Sequence, residues 1–306
     1  MKHTPAIRIP FLAACAGLAL AAVAGCGSSS LSSNTAAPGG ASSSTSVAPS
    51  KDDALAAKLP PKIKQVGKIV VGSDTSYPPN EFLAADGKTA QGMDVDRFKA
   101  VAAKFGVQAE FRTATFDTLI LSVGSGKYDV GVSSITINPD RKKTVEMVSY
   151  YNAGTLWATA KGNPKKVDPD NACGLAIGVQ KGTVQIDDLT ARSKKCTAAG
   201  KPAIQMVVDD LQVKVTNALV SGKVVAMAAD SPITNYAIKQ SNGALEKLGE
   251  VYDSAPYGFV TAKGQTEFAQ AMADALKDLE KSGEYGKVLS NWGLQDGAIK
   301  DFAVNP

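Results

Sequence analysis

The stretch 128–141 (Tyr-Asp-Val-Gly-Val-Ser-Ser-Ile-Thr-Ile-Asn-Pro-Asp-Arg) constrains the fold of this chain more than any other. Its apolar centre, 130–132, reads as a buried strand of an α/β sheet. The strand gives way to the small hydroxylated residues Ser133, Ser134 and Thr136. Asn138 and Pro139 then supply an N-cap and a first-turn proline, so a helix should open there with Arg141 in its first turn. Backbone N–H groups, hydroxyls and a guanidinium thereby converge at the C-terminal end of one strand. Open α/β sheets bind ligands at that end, and this donor set suits a carboxylate. The competing reading of the same residues is an arginine on a solvated helix start beside loop serines.

A chain of 306 residues has room for two domains. Its formal net charge of +4, with 20% charged residues, is too mild and too evenly spread to imply nucleic acid. The single histidine is His3, inside a segment expected to be removed. That counts against Ser-His-Asp and Cys-His enzymes and against a histidine-ligated metal, and no metal or cofactor motif is present. At the N-terminus, Lys2 and Arg8 form a short basic region and 9–24 is an alanine- and leucine-rich core. The core ends in Val-Ala-Gly-Cys at 23–26, which resembles the lipobox of bacterial lipoproteins. Residues 1–25 are therefore expected to be a signal peptide and Cys26 the lipidated residue. A retained membrane helix fits less well, because the apolar stretch is short and contains Pro10. Residues 26–60, rich in Ser, Ala, Gly and Pro at their start, are expected to be a flexible tether. Two cysteines remain, Cys173 and Cys196. In an exported chain they favour one disulfide, worth roughly 3 kcal/mol, over a pair of buried free thiols.

From residue 68 onward, strand and helix patterns alternate. Residues 68–72 form an apolar strand, 73–82 a loop of turn residues, and Asp86-Gly87 a hairpin turn. Residues 94–105 place Val95, Phe98, Val101, Ala102 and Phe105 on one helical face. A strand is expected at 107–113 and a helix at 116–123, before Ser-Gly-Lys at 125–127 turns into the stretch above. Residues 154–161 read as a strand leading out of the first domain, and 174–179 as the start of a second sheet. A partial internal echo follows: 217–230 runs helix, Ser-Gly-Lys, strand, polar residue, in the order of 119–134. Two similar half-sites would then face each other across a cleft. Residues 256–263 share Thr-Ala-Lys-Gly with the outgoing strand, which suggests two crossing segments of a hinge. The expected organisation is a first lobe at 61–158 and 257–306, with a second lobe, 159–256, inserted. Helices at 267–281 and 284–292 would pack back on the first lobe.

With these residues assembled, the chain resembles the family 3 extracytoplasmic solute-binding proteins, receptors of polar amino-acid ABC importers. The resemblance spans about 68–298. It rests on 92–96 (Gly-Met-Asp-Val-Asp), 116–120 (Phe-Asp-Thr-Leu-Ile), 125–129, 133–141, 181–183 (Lys-Gly-Thr), 229–232 (Ala-Asp-Ser-Pro), 256–258 (Pro-Tyr-Gly) and Trp292-Gly293. Met93 and Arg97 depart from the family pattern, which has an aromatic or aliphatic residue at the first position and an aliphatic one at the second. The resemblance implies a periplasmic-binding-protein-like type II fold, two α/β lobes joined by two hinge strands.

It also implies roles. A ligand α-carboxylate would meet Arg141, the Ser134 and Thr136 region and Thr183, while Asp230 would take the α-ammonium with Ser133 as a further acceptor. Arginine grips a carboxylate at two points, and aspartate is acceptor-only, so the chemistry agrees. Tyr77 and Phe116 match positions whose rings sandwich the ligand side chain, Asp74 one that contacts its far end, and Gln180 is expected to line the pocket. Asp74 and Asp230 against a single arginine would repel an acidic side chain, which favours a neutral polar or basic amino acid such as glutamine or arginine. The implied partner is an ABC permease in the cytoplasmic membrane; the chain is expected to be a lipid-anchored extracytoplasmic monomer and not an enzyme. The alternatives are an exported lyase on the same fold, like cyclohexadienyl dehydratase, with Glu81 or Asp74 as its acid or base, and a ligand-sensing adaptor lipoprotein.

Overall fold

The structure is a computed structural model that describes residues 49–306. The expected signal peptide, Cys26 and most of the expected tether lie outside the described residues.

The described chain opens on α1 (Asp53–Ala57) and α2 (Pro61–Val66). This corrects the expected extent of the tether to residue 60. The Asp52 carboxylate caps α1 by accepting from the N–H groups of Ala54 and Leu55, at 2.8 and 3.0 Å. Leu55 and Leu59, four apart, are then buried in the main core, and Lys58 reaches Asp274 at 3.3 Å. Two leucines at helical spacing outweigh the polar composition around them.

The next elements are β1 (Lys68–Ser73), the small antiparallel sheet β2 (Ser76–Tyr77), β3 (Glu81–Leu83) and β4 (Ala90–Gln91), then α3 (Met93–Lys104) and β5 (Gln108–Thr113). A single helix was expected at 116–123. Instead a 3-10 turn at Phe116–Thr118 precedes α4 (Leu119–Gly124). Then come β6 (Val130–Gly131), α5 (Pro139–Thr144) and β7 (Val145–Ala160). Asn138 caps α5 as expected, its Oδ1 accepting from the Arg141 N–H at 2.8 Å. Beyond β7 lie β8 (Ala176–Gln180), α6 (Val184–Ala198), β9 (Gln205–Asp209), α7 (Gln212–Val220), β10 (Ala226–Asp230), α8 (Ser231–Gln240) and β11 (Leu245–Ala262). The chain finishes through α9 (Thr266–Lys281) and α10 (Glu284–Trp292), whose apolar faces pack on α3 and, for α9, also on β7.

The second half forms no sheet of its own among the described residues. Eight strands make one sheet in the order β5-β1-β6-β11-β7-β10-β8-β9. The reason is the length of β7 and β11, which pair antiparallel from Val145↔Ala262 to Ala160↔Leu245 and so run through both halves. Register breaks fall between Leu248 and Tyr252, between Tyr252 and Ala255, and between Tyr257 and Gly258. Read from the outer strands inward, each half repeats one plan: β5-β1-β6 on one side and β9-β8-β10 on the other, all parallel pairings.

The turns repeat too. Ser125 and Ser221 both end their helices in the right-handed region, followed by Gly126 at φ 78° and Gly222 at φ 75°. Lys127 N–H donates to Ser122 C=O at 3.0 Å and Lys223 N–H to Ala218 C=O at 2.9 Å. Gly72 is fixed by a close approach, since a Cβ there would sit 2.4 Å from the Tyr128 ring. Cys173 and Cys196 form a disulfide that ties the approach to β8 to α6.

Candidate functional site

The C-terminal ends of the parallel strands in both halves point at the middle of the β7–β11 pair. From the first half come Asp74, just after β1, Tyr77 on β2, Ser133 and Ser134 after β6, and Arg141 on α5. From the second come Gln180, which ends β8, Thr183, which leads into α6, and Asp230, which ends β10. This is the crevice that an α/β sheet offers to ligands.

Several of these residues touch across the crevice. The Tyr77 hydroxyl donates to Asp230 Oδ2 at 2.9 Å. Gln180 Nε2 donates to Asp74 Oδ2, and the Gln212 N–H to Ser76 Oγ at 3.0 Å. Arg141 donates from Nη1 to the Thr136 carbonyl at 2.7 Å and from Nη2 to the Gly182 carbonyl at 3.0 Å. Its guanidinium also lies over the Phe116 ring, 5.5 Å from the centroid. Two carbonyls orient this cation, and among the described residues it has no salt bridge. Lys181 Nζ meets Asp117 at 2.9 Å beside it. Gly182, at φ +79°, comes so close that a Cβ there would lie 2.9 Å from Asp117 Cα. The two halves are closed on each other.

Burial sets the electrostatics. It raises the Asp74 carboxyl to about 6, although bonds from Ser76 and Gln180 oppose the shift. It raises Asp230 too, against bonds from Tyr257, Tyr77 and Gln185 and the attraction of Arg141. It lowers Arg141, with Asp230 and Asp187 pulling the other way. The Tyr77 and Tyr257 hydroxyls are pushed well above their usual range, first by burial and then by Asp230, so both are donors.

The hydroxyls of two expected residues are taken up by buried neighbours. Ser133 Oγ accepts from the Asp74 N–H at 2.9 Å and gives its proton to Glu81 at 3.2 Å. Ser134 Oγ lies between Glu81 and Asp94, at 3.1 and 3.3 Å. Ser134 adopts φ 51°, an uncommon conformation for a non-glycine residue, secured by its N–H on Asp94 Oδ2 at 2.8 Å. The Thr183 hydroxyl donates to the Gln180 carbonyl at 2.8 Å and shapes the turn. Sequence reasoning missed Gln185, which donates to Asp230 Oδ1 at 2.8 Å, and Tyr257, which donates to Oδ2 at 2.7 Å. Tyr257 sits in a stretch already singled out, 256–258; Gln185 carries no local signal beyond an amide in a first helical turn.

With this geometry in hand, residues 69–295 match the bacterial extracellular solute-binding proteins, family 3. The chain belongs to this family. Among curated relatives, the arginine-binding protein ArgT of Corynebacterium glutamicum is 32% identical over 252 residues, 82% of either chain. Among solved structures, an ancestral arginine-binding protein bound to arginine superposes with a TM-score of 0.69 at 31% identity, covering 74% of this chain and 98% of the other. The ancestral amino acid-binding protein AncCDT-1, a precursor of cyclohexadienyl dehydratase, gives 0.68 at 29%, covering 76% and 97%. As a family 3 protein the chain is an extracellular solute-binding protein with the type II fold, and among its described residues no helix is long and apolar enough to cross a membrane.

Proposed function

We propose that this family 3 protein captures a basic L-amino acid, arginine foremost, between its two halves and hands it to an ABC permease. One observation carries the reading: Arg141 and Asp230, one from each half, project into the same crevice with hydrogen-bonding neighbours that hold their charges in place. Such a pair matches the two ends of a zwitterion. The preference for a cationic side chain is supported by Asp74, by the buried Gln180 Oε1 that lacks a donor among the described residues, and by the arginine named for the relatives above. In this reading the halves, 61–158 with 257–306 and 159–256, are lobes that open and close on β7 and β11. Cys26 carries a lipid anchor after removal of residues 1–25, and the receptor works as a monomer.

Binding without turnover is supported by the position of Glu81, the other candidate acid. It is fully buried and bonded to Ser133 and Ser134. Titration calorimetry with the common L-amino acids tests the proposal. Tightest binding of arginine is expected, with the ligand recovered unchanged; tighter binding of glutamate, or conversion of the ligand, would overturn it.

A further inference from the structure

Beneath Ser133 and Ser134, two carboxyl groups meet where the available protons do not suffice. Glu81 on β3 and Asp94 on α3 are both 0% exposed and converge on one hydroxyl, Ser134 Oγ, at 3.1 and 3.3 Å. Asp94 Oδ2 is well supplied: it accepts from the Ser134 N–H at 2.8 Å and from the Tyr150 hydroxyl. Arg97, one turn along α3, adds a positive charge. Asp94 Oδ1 is different, for it is buried with no donor among the described residues. Among the described residues the only donors to Glu81 are hydroxyls, Ser133 at Oε1 and Ser134 at Oε2. Ser134 Oγ already accepts from Asn80 Nδ2 at 2.9 Å, so its one proton cannot serve both Glu81 and Asp94. Two ionised carboxylates in contact, both out of water, repel strongly.

We propose that Glu81 carries a proton at neutral pH and donates it to Asp94 Oδ1, and that this carboxyl–carboxylate bond positions Ser133 and Ser134 at the cleft. The assignment is asymmetric because the cation, the backbone N–H and the tyrosine hydroxyl all favour charge on Asp94. Glu81 faces two acids, Asp94 and Asp74, and the phenols of Tyr150 and Tyr77 lie nearby. Burial first, then Asp94 and Asp74, push its carboxyl well above the ordinary carboxylate range. A group raised in this way contributes stability that is complete below its unfolded value and is lost as pH rises through the folded one. Gln at this position would mimic the protonated acid, with its amide N–H on Asp94 Oδ1. The link to ligand capture rests on the function proposed above; the proton does not.

Infrared spectroscopy of the full chain at neutral pH should give a carboxylic-acid C=O band that Glu81→Gln abolishes and Asp74→Asn retains. No band, or a band that survives Glu81→Gln, overturns the assignment. In thermal unfolding Glu81→Gln should keep or raise Tm, whereas Asp94→Asn lowers it by roughly 4 °C or more; equal losses would put the proton elsewhere. With L-arginine as the probe, Glu81→Gln should hold Kd within about threefold. Deprotonation of the ligand's α-ammonium weakens both proteins at alkaline pH, and wild-type affinity should decline more steeply than that of the glutamine variant; identical pH profiles would sink the positioning role. A wild-type chain that binds no amino acid would refute the functional proposal, and the infrared band would still decide the proton.

Discussion

The two halves of the sheet share a plan and differ in what they bury. Each runs from its outermost parallel strand through a helix and a Ser-Gly-Lys turn to a short strand whose end reaches the crevice. In the first half that end is Ser133-Ser134, resting on buried Glu81, Asp94 and Arg97 and covered behind by α3, α9 and α10. In the second it is Asp230, held directly by two phenols and an amide, on a smaller core clipped by a disulfide. A duplicated scaffold thus delivers two unlike groups. The first half presents a cation at the start of a helix, and the second an anion at the end of a strand. Most of the buried charged residues lie on the side that carries the cation.

Changes confined to one half sharpen this comparison, and the largest should come from the clip. Replacing Cys173 and Cys196 by serine should cost about 3 kcal/mol in urea unfolding. Hydrogen exchange should concentrate the loss in α6 and β8, and a uniform loss would mean the halves unfold as one. Next, Arg141→Ala and Asp230→Ala should each weaken arginine binding by about 2 kcal/mol or more, since each removes one charge of a matched pair. If only one of them does so in calorimetry, the halves do not contribute opposite charges. Gly182→Ala should weaken binding by about 1–2 kcal/mol, because the added methyl meets the Asp117 backbone at positive φ and holds the halves apart. An unchanged Kd would show that the approach is not needed for capture.

Acidification should act on the first half through Asp74. Asp74, raised to about 6, binds a proton below that value, so arginine affinity should fall by up to tenfold per pH unit there. The sign for the ligand-free chain is opposite: its folded value lies above the unfolded one, so stability from Asp74 is complete in acid and lost as pH rises through about 6. Asp74→Asn should flatten both profiles. The smallest effect belongs to Lys181→Met, which breaks a solvent-screened pair with Asp117. Its signature is a lost salt dependence of Kd.

What could be read in advance was local. The 130–141 junction, the cap at Asn138, the α3 face and the repeated turn are short-range patterns, and each stands in the structure. The start of β7 was hidden because Glu146 and Ser149 interrupt its apolar run. Both are buried, and their partners come from far along the chain: Lys263, Gly264 and Asn305 for one, Asp301 and Ala303 for the other. Gln185, Tyr257 and the Glu81–Asp94 contact were invisible for the same reason. A side chain's partner across the fold leaves no periodicity in the sequence.

The long pairing of β7 with β11 has one more consequence. Two strands bonded along most of their length behave as a ribbon, and a ribbon bends most easily where its rungs are missing. Rungs are missing on either side of the lone Tyr252–Thr155 pair, between Leu248 and Tyr252 and between Tyr252 and Ala255, opposite Leu156 and Gly154. Flexure gathered into so few residues would swing each side as a stiff body about a single axis, sparing the ladders on which the charge geometry depends.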